Sequence, residues 1–82
     1  MRITVRFFGI VGDVAKRKEQ VIDLPEAASV GDLLATLGAA NSGFAAVAKQ
    51  VRAVVRGQNA TRDEPLHDGD DVVLMRAIGG GS

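Results

Sequence analysis

The chain closes with Gly79-Gly80-Gly81-Ser82, and these are the residues whose type and spacing most suggest chemistry. Glycine has no side chain and adopts most backbone angles, so a glycine tail can enter a narrow enzyme channel where its carboxylate is attacked at close range. The tail therefore predicts that the terminal carboxylate is the reactive group. The other interpretation is a flexible Gly/Ser linker left by a cloning vector, although no purification tag follows it.

The composition excludes several classes of function. The 82 residues predict one domain with ten acidic and ten basic side chains, whereas a nucleic-acid-binding protein normally has a basic surplus. The absence of cysteine excludes disulfides, a cysteine nucleophile and thiolate metal sites. No segment has the length of a membrane span, so we expect a cytoplasmic protein that binds neither nucleic acid nor membrane. The basic segment Lys16-Arg17-Lys18 is interpreted as a solvated loop.

Two strands are predicted near the N-terminus. Residues 2–7 alternate polar and apolar side chains, which is typical of a half-buried strand whose inward residues are Ile3, Val5 and Phe7. Residues 9–18 are irregular and mildly helical. Residues 20–24 predict a second strand that Pro25 ends, so that the two strands form a hairpin with a wide loop.

The main helix is predicted to begin at Ser29-Val30-Gly31-Asp32, which has the form of a capping box. The leucines that follow supply an apolar stripe as far as Gly38, giving a helix of about ten residues. Apolar residues then recur at helical spacing between Phe44 and Val51, which indicates a further short helical turn.

The C-terminal half predicts two more strands. Residues 52–56 form the third strand, and a turn follows at residues 57–59. Leu66 is expected to anchor a polar loop to the core, and residues 67–70 form a tight turn with Gly69 at a positive φ. The strand at residues 71–78 is so continuously apolar that we expect it to lie centrally, covered on both faces.

This pattern resembles the ubiquitin-like β-grasp sulfur carriers, the family of MoaD and ThiS. The resemblance covers nearly the whole chain and rests on the order and spacing of four motifs that precede a diglycine: Val5-Arg6-Phe7-Phe8-Gly9, residues 28–34, Val54-Val55-Arg56-Gly57, and residues 65–72. It implies an α+β fold with a mixed sheet of four to five strands, one main helix on one face, and a flexible glycine tail. The β-grasp domain is then expected at residues 1–78 and the tail at residues 79–82.

The resemblance also implies a carrier rather than an enzyme, with no bound cofactor. In the family, a partner adenylyltransferase similar to MoeB or ThiF consumes ATP to activate the terminal glycine, and sulfur then gives a thiocarboxylate that serves a sulfur-accepting synthase. The diglycine falls on Gly80 and Gly81, so Gly81 is the expected activation site. Ser82 is one residue too many, and it either belongs to a cloning vector or is removed by a zinc metalloprotease. Arg76-Ala77 replaces a proline pair of the molybdopterin type and is closer to the thiamine type, whereas the chain length and the long loop after the first strand favour the molybdopterin type, so the sulfur acceptor stays open.

A partner-docking face is expected on the open side of the sheet. Its candidate residues are Arg6, Phe8, Val73, Met75, Arg76, Ile78 and Gly79, although some of them could instead complete the core. His67 and the acidic residues around it are interpreted as solvated turn residues rather than a catalytic base or a metal site. Two alternative functions share the fold: a protein modifier joined to lysines through the same glycine, and an interaction module with an inert tail.

Overall fold

The computed structural model describes residues 1–76, and it shows a mixed five-stranded sheet with helices packed on it. Chain order gives β1 (Arg2–Phe7), α1 (Ile10–Ala15), β2 (Glu19–Asp23), α2 (Val30–Ala40), α3 (Ser42–Val47), a 3-10 turn (Ala48–Gln50), β3 (Val51–Val55), β4 (Gln58–Ala60) and β5 (Asp71–Arg76). Residues 77–82, which include Ile78 and the whole predicted tail, lie outside the described residues.

The strand order is β2-β1-β5-β3-β4. The central strands β1 and β5 run parallel, and every other neighbouring pair is antiparallel. Since a parallel pair needs a long crossover connection, the chain between β1 and β5 holds the helices and the other strands. This topology confirms the predicted β-grasp architecture.

The core lies between the helices and one face of the sheet. Phe7 of β1 meets Phe44 of α3 edge to face, with ring centroids 6.1 Å apart, which is the geometry that aromatic quadrupoles favour. Alternate residues of β1, β3 and β5 point into this layer and are buried: Ile3, Val5, Phe7, Val51, Ala53, Val55, Val72 and Leu74. Leu66 is also buried, so the predicted loop anchor is confirmed.

The main helix begins as predicted. The Ser29 hydroxyl accepts from the Asp32 amide at 3.2 Å, and the Asp32 carboxylate accepts from the Ser29 amide at 2.9 Å, so each orphan donor at the helix start has a partner. The helix passes through Gly38 rather than ending there. Gly38 packs against Ala45 of α3, and a Cβ added at Gly38 would be 3.5 Å from the Ala45 methyl group. This tertiary contact holds the helix together beyond Gly38.

Two further expectations from the sequence were wrong. Gln58 and Asn59 were assigned to a turn, but they begin β4, and the turn is at Arg56 and Gly57. The last strand is central, as predicted, yet the core covers only one of its faces within residues 1–76. Val73 and Met75 alternate with buried residues and are only half-buried, which leaves them on the other face of the sheet.

Candidate functional site: a docking face beside the exit of the tail

The predicted reactive residues Gly79, Gly80, Gly81 and Ser82, together with Ile78, lie outside the described residues. The last described residue is Arg76, at the end of β5. Arg76 pairs with Val51 at the start of β3. On the other side of β5, the Phe8 amide donates to the Leu74 carbonyl at 2.8 Å. The last residues of β1 and β5 therefore lie at the same end of the sheet. Arg76 therefore lies between the end of β1 and the start of β3, and this point is called the exit of the tail.

Four of the predicted docking residues share the open face of the sheet. Residues directly opposite each other in a ladder point to the same side, and Val73 lies opposite Arg6 of β1 and Val54 of β3. Met75 follows Val73 by two residues, and Phe8 follows Arg6 by two. The docking face is defined here as Arg6, Phe8, Val54, Val73 and Met75. None of the four predicted residues completes the core, so that alternative is wrong for them.

The docking face is apolar at its centre. Val54, Val73 and Met75 are half-buried, whereas the Phe8 side chain, just beyond the end of β1, is 65% exposed. An aromatic ring left in water next to aliphatic side chains is typical of a protein contact surface. Val54 was not among the docking residues predicted from the sequence, although Arg52, Val54 and Arg56 alternate with buried residues and so share one face. Only the pairing of β3 with β5 shows that Val54 lies opposite Val73.

Arg6 is less available as a positive charge than the sequence indicated. Its Nε donates to Asp71 at 3.1 Å and its Nη1 to Glu19 at 3.4 Å, so it joins β1 to both neighbouring strands. The hydrogen bond to Asp71, then the charges of Asp71 and Glu19, raise the pKa of Arg6 above its ordinary value. The docking face is therefore an apolar surface edged by a neutralised arginine rather than a basic one.

An open cavity lies next to Phe8. It has a volume of about 820 Å³ and is bounded by the end of β1, helix α1 and the loop from α1 to β2. The residues that line it are Arg6, Phe7, Phe8, Gly9, Gly12, Asp13, Lys16, Arg17, Lys18 and Glu19. Lys16-Arg17-Lys18 is an exposed loop, as predicted, but the cavity beside it could not be predicted because it forms only when α1 packs beside β1.

The turn that holds His67 is a structural junction. Arg56 donates to the carboxylates of Asp70 and Glu64 and contacts the His67 Nδ1 atom at 3.0 Å. Asp70 also accepts from the His67 amide at 2.8 Å, and its side chain is only 9% exposed, so it is not the solvated carboxylate that was expected. Burial tends to raise the pKa of Asp70, but the His67 amide and Arg56 outweigh it and lower the pKa below its ordinary value. Gly69 has φ 87°, as predicted.

Neither a metal site nor a membrane span is found within residues 1–76. No cluster of three or more acidic or histidine side chains there could hold an ion, and no helix there is long and apolar enough to cross a bilayer. Arg56 instead holds Asp70 and Glu64, Asp68 accepts from the Arg2 amide, and Asp71 pairs with Arg6.

The solved structures that share this fold include carriers and modifiers. SAMP1 of Haloferax volcanii superposes with a TM-score of 0.86 at 21% identity, covering 99% of this chain and 100% of that chain. A Pyrococcus furiosus protein assigned as molybdopterin converting factor subunit 1 has a TM-score of 0.83 at 27% identity, covering 95% and 99%. Subunit 1 of the Helicobacter pylori molybdopterin-converting factor, solved with subunit 2, has a TM-score of 0.69 at 23% identity, covering 99% and 100%.

The sequence itself was compared with curated proteins and with family profiles. No curated protein matches the chain. The profile of the ThiS family matches residues 5–81, which is almost the full length and ends on the second glycine of the predicted diglycine. The chain therefore belongs to the ThiS family, whose members are small ubiquitin-fold carriers or modifiers rather than catalysts.

Proposed function

We propose that this protein is a sulfur carrier whose Gly81 carboxylate is activated by a partner enzyme. The observation that carries the proposal is the family match, which runs through Gly81 and stops one residue before Ser82. The carboxylate attacks the α-phosphorus of ATP and displaces pyrophosphate, giving an acyl adenylate. Hydrosulfide then displaces AMP and leaves the thiocarboxylate. Its sulfur attacks an electrophilic carbon of a metabolite or cofactor precursor, which loses its leaving group, and water cleaves the resulting thioester so that the sulfur stays on the precursor and the Gly81 carboxylate is regenerated. These steps require no catalytic side chain from the carrier.

The position of Arg76 supports this role. Gly81 is the fifth residue after Arg76, and an extended chain spans at most about 3.3–3.6 Å per residue, so Gly81 can lie up to about 18 Å from the end of β5. That reach is sufficient for the carboxylate to enter an enclosed active site while the folded domain stays outside. The absence of side chains at residues 79–81 lets a narrow channel close on the backbone.

Ser82 has to be absent before activation. A Gly81 joined to Ser82 through a peptide bond has an amide carbonyl rather than a carboxylate, so no oxygen is available to attack ATP. We expect a zinc metalloprotease to expose Gly81 where Ser82 is part of the natural chain.

The docking face supplies the contact with the activating enzyme, an adenylyltransferase similar to MoeB or ThiF. Two of its residues, Phe8 and Met75, lie at the same end of the sheet as the exit of the tail. One partner can therefore bind the face and the tail together. The Helicobacter pylori relative was solved with a second subunit, and we expect a sulfur-accepting synthase to use this face in turn. Use of one face by both partners makes activation and sulfur transfer sequential.

The decisive test is ATP–pyrophosphate exchange by the activating enzyme of the same organism. We expect exchange with a chain that ends at Gly81 and none with a chain that retains Ser82. With a sulfur donor present, the intact mass of the first chain should increase by the difference between a sulfur and an oxygen atom. Exchange followed by isopeptide-linked conjugates, without that mass change, would identify a modifier. Unchanged function in cells after deletion of residues 80–82 would identify an inert interaction module.

The docking face is tested by Val73→Asp, with Ala35→Asp as the control. Val73 is half-buried at the centre of the face, whereas Ala35 is exposed on α2, on the side of the sheet that the helices cover. A carboxylate buried in an apolar contact costs at least about 1.4 kcal/mol, which is a tenfold effect. We therefore expect Val73→Asp to raise the KM for the carrier about tenfold or more with the circular dichroism spectrum unchanged, and Ala35→Asp to leave KM unchanged. Equal KM values for the two folded variants would contradict the assignment.

A further inference from the structure

The cavity beside Phe8 has walls that are held in place by specific contacts. The Asn41 side chain donates to the Ala15 carbonyl at 3.0 Å and accepts from the Phe44 amide at 3.0 Å, so it joins the end of α1 to the start of α3. Lys16 then ends α1 in the left-handed conformation, with φ 60°. A lysine in that conformation is uncommon and sets the direction of the following loop. The Asn41 hydrogen bonds and the backbone of Lys16 thus determine where the loop that lines the cavity begins.

The lining of the cavity is positively charged. Four cationic side chains line it, against the carboxylates of Asp13 and Glu19. Glu19 is already paired with Arg6, while Lys16 and Lys18 are exposed and form no ion pair within residues 1–76. The overall charge of the chain is zero, so this local surplus is a feature of one site rather than of the whole surface.

Phe8 adds an apolar contact to the same cavity. Its ring is 65% exposed, and it belongs both to the docking face and to the cavity lining. The Phe8 amide is bonded to the Leu74 carbonyl, so Phe8 lies beside the last residues of β5. A partner that covers Met75 and binds the chain after Arg76 must therefore also cover Phe8. The cavity is therefore continuous with the surface that the proposed function assigns to the activating enzyme.

We propose that this cavity receives an acidic segment of the activating enzyme, in which a carboxylate meets Lys16 and Lys18 and a neighbouring apolar side chain packs on Phe8. The inference rests on the proposed function for the identity of the partner. Charge complementarity of this kind accelerates encounter and selects among partners, so the cavity distinguishes the cognate enzyme from others that accept a glycine tail. It is a recognition site and takes no part in the chemistry.

The test compares three charge reversals of equal size. Lys16→Glu and Lys18→Glu change the cavity, while Arg2→Glu changes a residue at the opposite end of β1, whose exposed pair with Asp23 contributes little stability. The affinity of each variant for the activating enzyme is measured by titration calorimetry without ATP, at low and high salt, and kcat and KM are measured by pyrophosphate exchange. We expect each lysine variant to weaken binding about five- to tenfold at low salt and to raise KM with kcat unchanged. We expect Arg2→Glu to behave as the wild type.

The outcomes separate this inference from the proposed function. Binding without any exchange by the wild type would contradict the proposed function, yet the binding constants of the variants would still decide the role of the cavity. Lysine variants that bind as tightly as Arg2→Glu would overturn the inference, as would the absence of any complex with the wild type. Salt-sensitive binding of an oligouridylate that is lost in the lysine variants, with enzyme binding unchanged, would overturn it in favour of a nucleic-acid site.

Discussion

Gly43 of α3 lies against the backbone of α1 at Val14, and its replacement by alanine should destabilise the protein. A Cβ built at Gly43 would be 2.6 Å from the Val14 carbonyl oxygen and 3.3 Å from the Asn41 Oδ1 atom. The nearest atom belongs to the backbone of α1, so rotation of a side chain cannot relieve the contact, and the two helices have to separate by most of an ångström.

The expected magnitude follows from two opposing effects. Overpacking of this kind costs about 1–3 kcal/mol, and replacement of a helical glycine by alanine recovers at most about 0.5–1 kcal/mol of backbone entropy. The free energy of unfolding should therefore fall by about 1–2 kcal/mol. For a domain of this size each kcal/mol lowers Tm by about 4–8 °C, so we expect Tm to fall by about 5–15 °C.

Gly38→Ala is the matched control, because the same substitution there meets no obstacle. The added Cβ would be 3.5 Å from the Ala45 methyl, which is an ordinary van der Waals contact, and alanine should stabilise the helix by about 0.5–1 kcal/mol. Urea unfolding followed by circular dichroism measures both variants. The explanation fails if Gly43→Ala is as stable as the wild type, or if Gly38→Ala is the more destabilised of the two.

Three further predictions concern the contacts that hold the fold. Asp70→Asn should reduce the dependence of the unfolding free energy on pH. The folded state lowers the pKa of Asp70, so the stabilisation by its carboxylate is complete above the unfolded value near 3.8 and is lost as the pH falls through the lower folded pKa. Unfolding free energies measured from pH 6 to pH 2 should therefore fall less steeply for the variant, and parallel curves would contradict the assignment. Asn41→Ala should cost about 1–3 kcal/mol in urea unfolding, since it leaves the Ala15 carbonyl and the Phe44 amide unpaired; a cost near zero would mean that water replaces both bonds. Ser29→Ala should lower the unfolding free energy by about 1 kcal/mol through loss of the helix cap, and an unchanged Tm would show that the cap is dispensable.

Much of the fold could be predicted from local pattern. The alternation in residues 2–7 determined that Ile3, Val5 and Phe7 are buried, because successive strand residues point to opposite faces. The capping box at Ser29 and Asp32 needs only residues three apart, and it is present as expected. The order of these motifs was also sufficient to identify the family that the profile of residues 5–81 shows.

The docking face and its surroundings were decided by tertiary structure. The continuous apolar run of β5 does not reveal which of its faces the helices cover; the register with β1 and β3 places Val73 on the open face. Strand β4 has no local signal in Gln58 and Asn59 and forms because β3 offers it an unpaired edge.

Charge in particular could not be assigned from sequence position. Asp70 and Lys16 both lie in polar segments and look equally solvated in the sequence. Asp70 is buried because Arg56, fourteen residues away, reaches its carboxylate, and Lys16 lines a cavity because α1 packs beside β1. The sequence by itself determined the strand at residues 2–7 and the helix cap at Ser29, since these depend on neighbours a few positions apart. Only the tertiary structure decided which charges are neutralised and which face a partner can reach, because those properties depend on residues that meet across the fold.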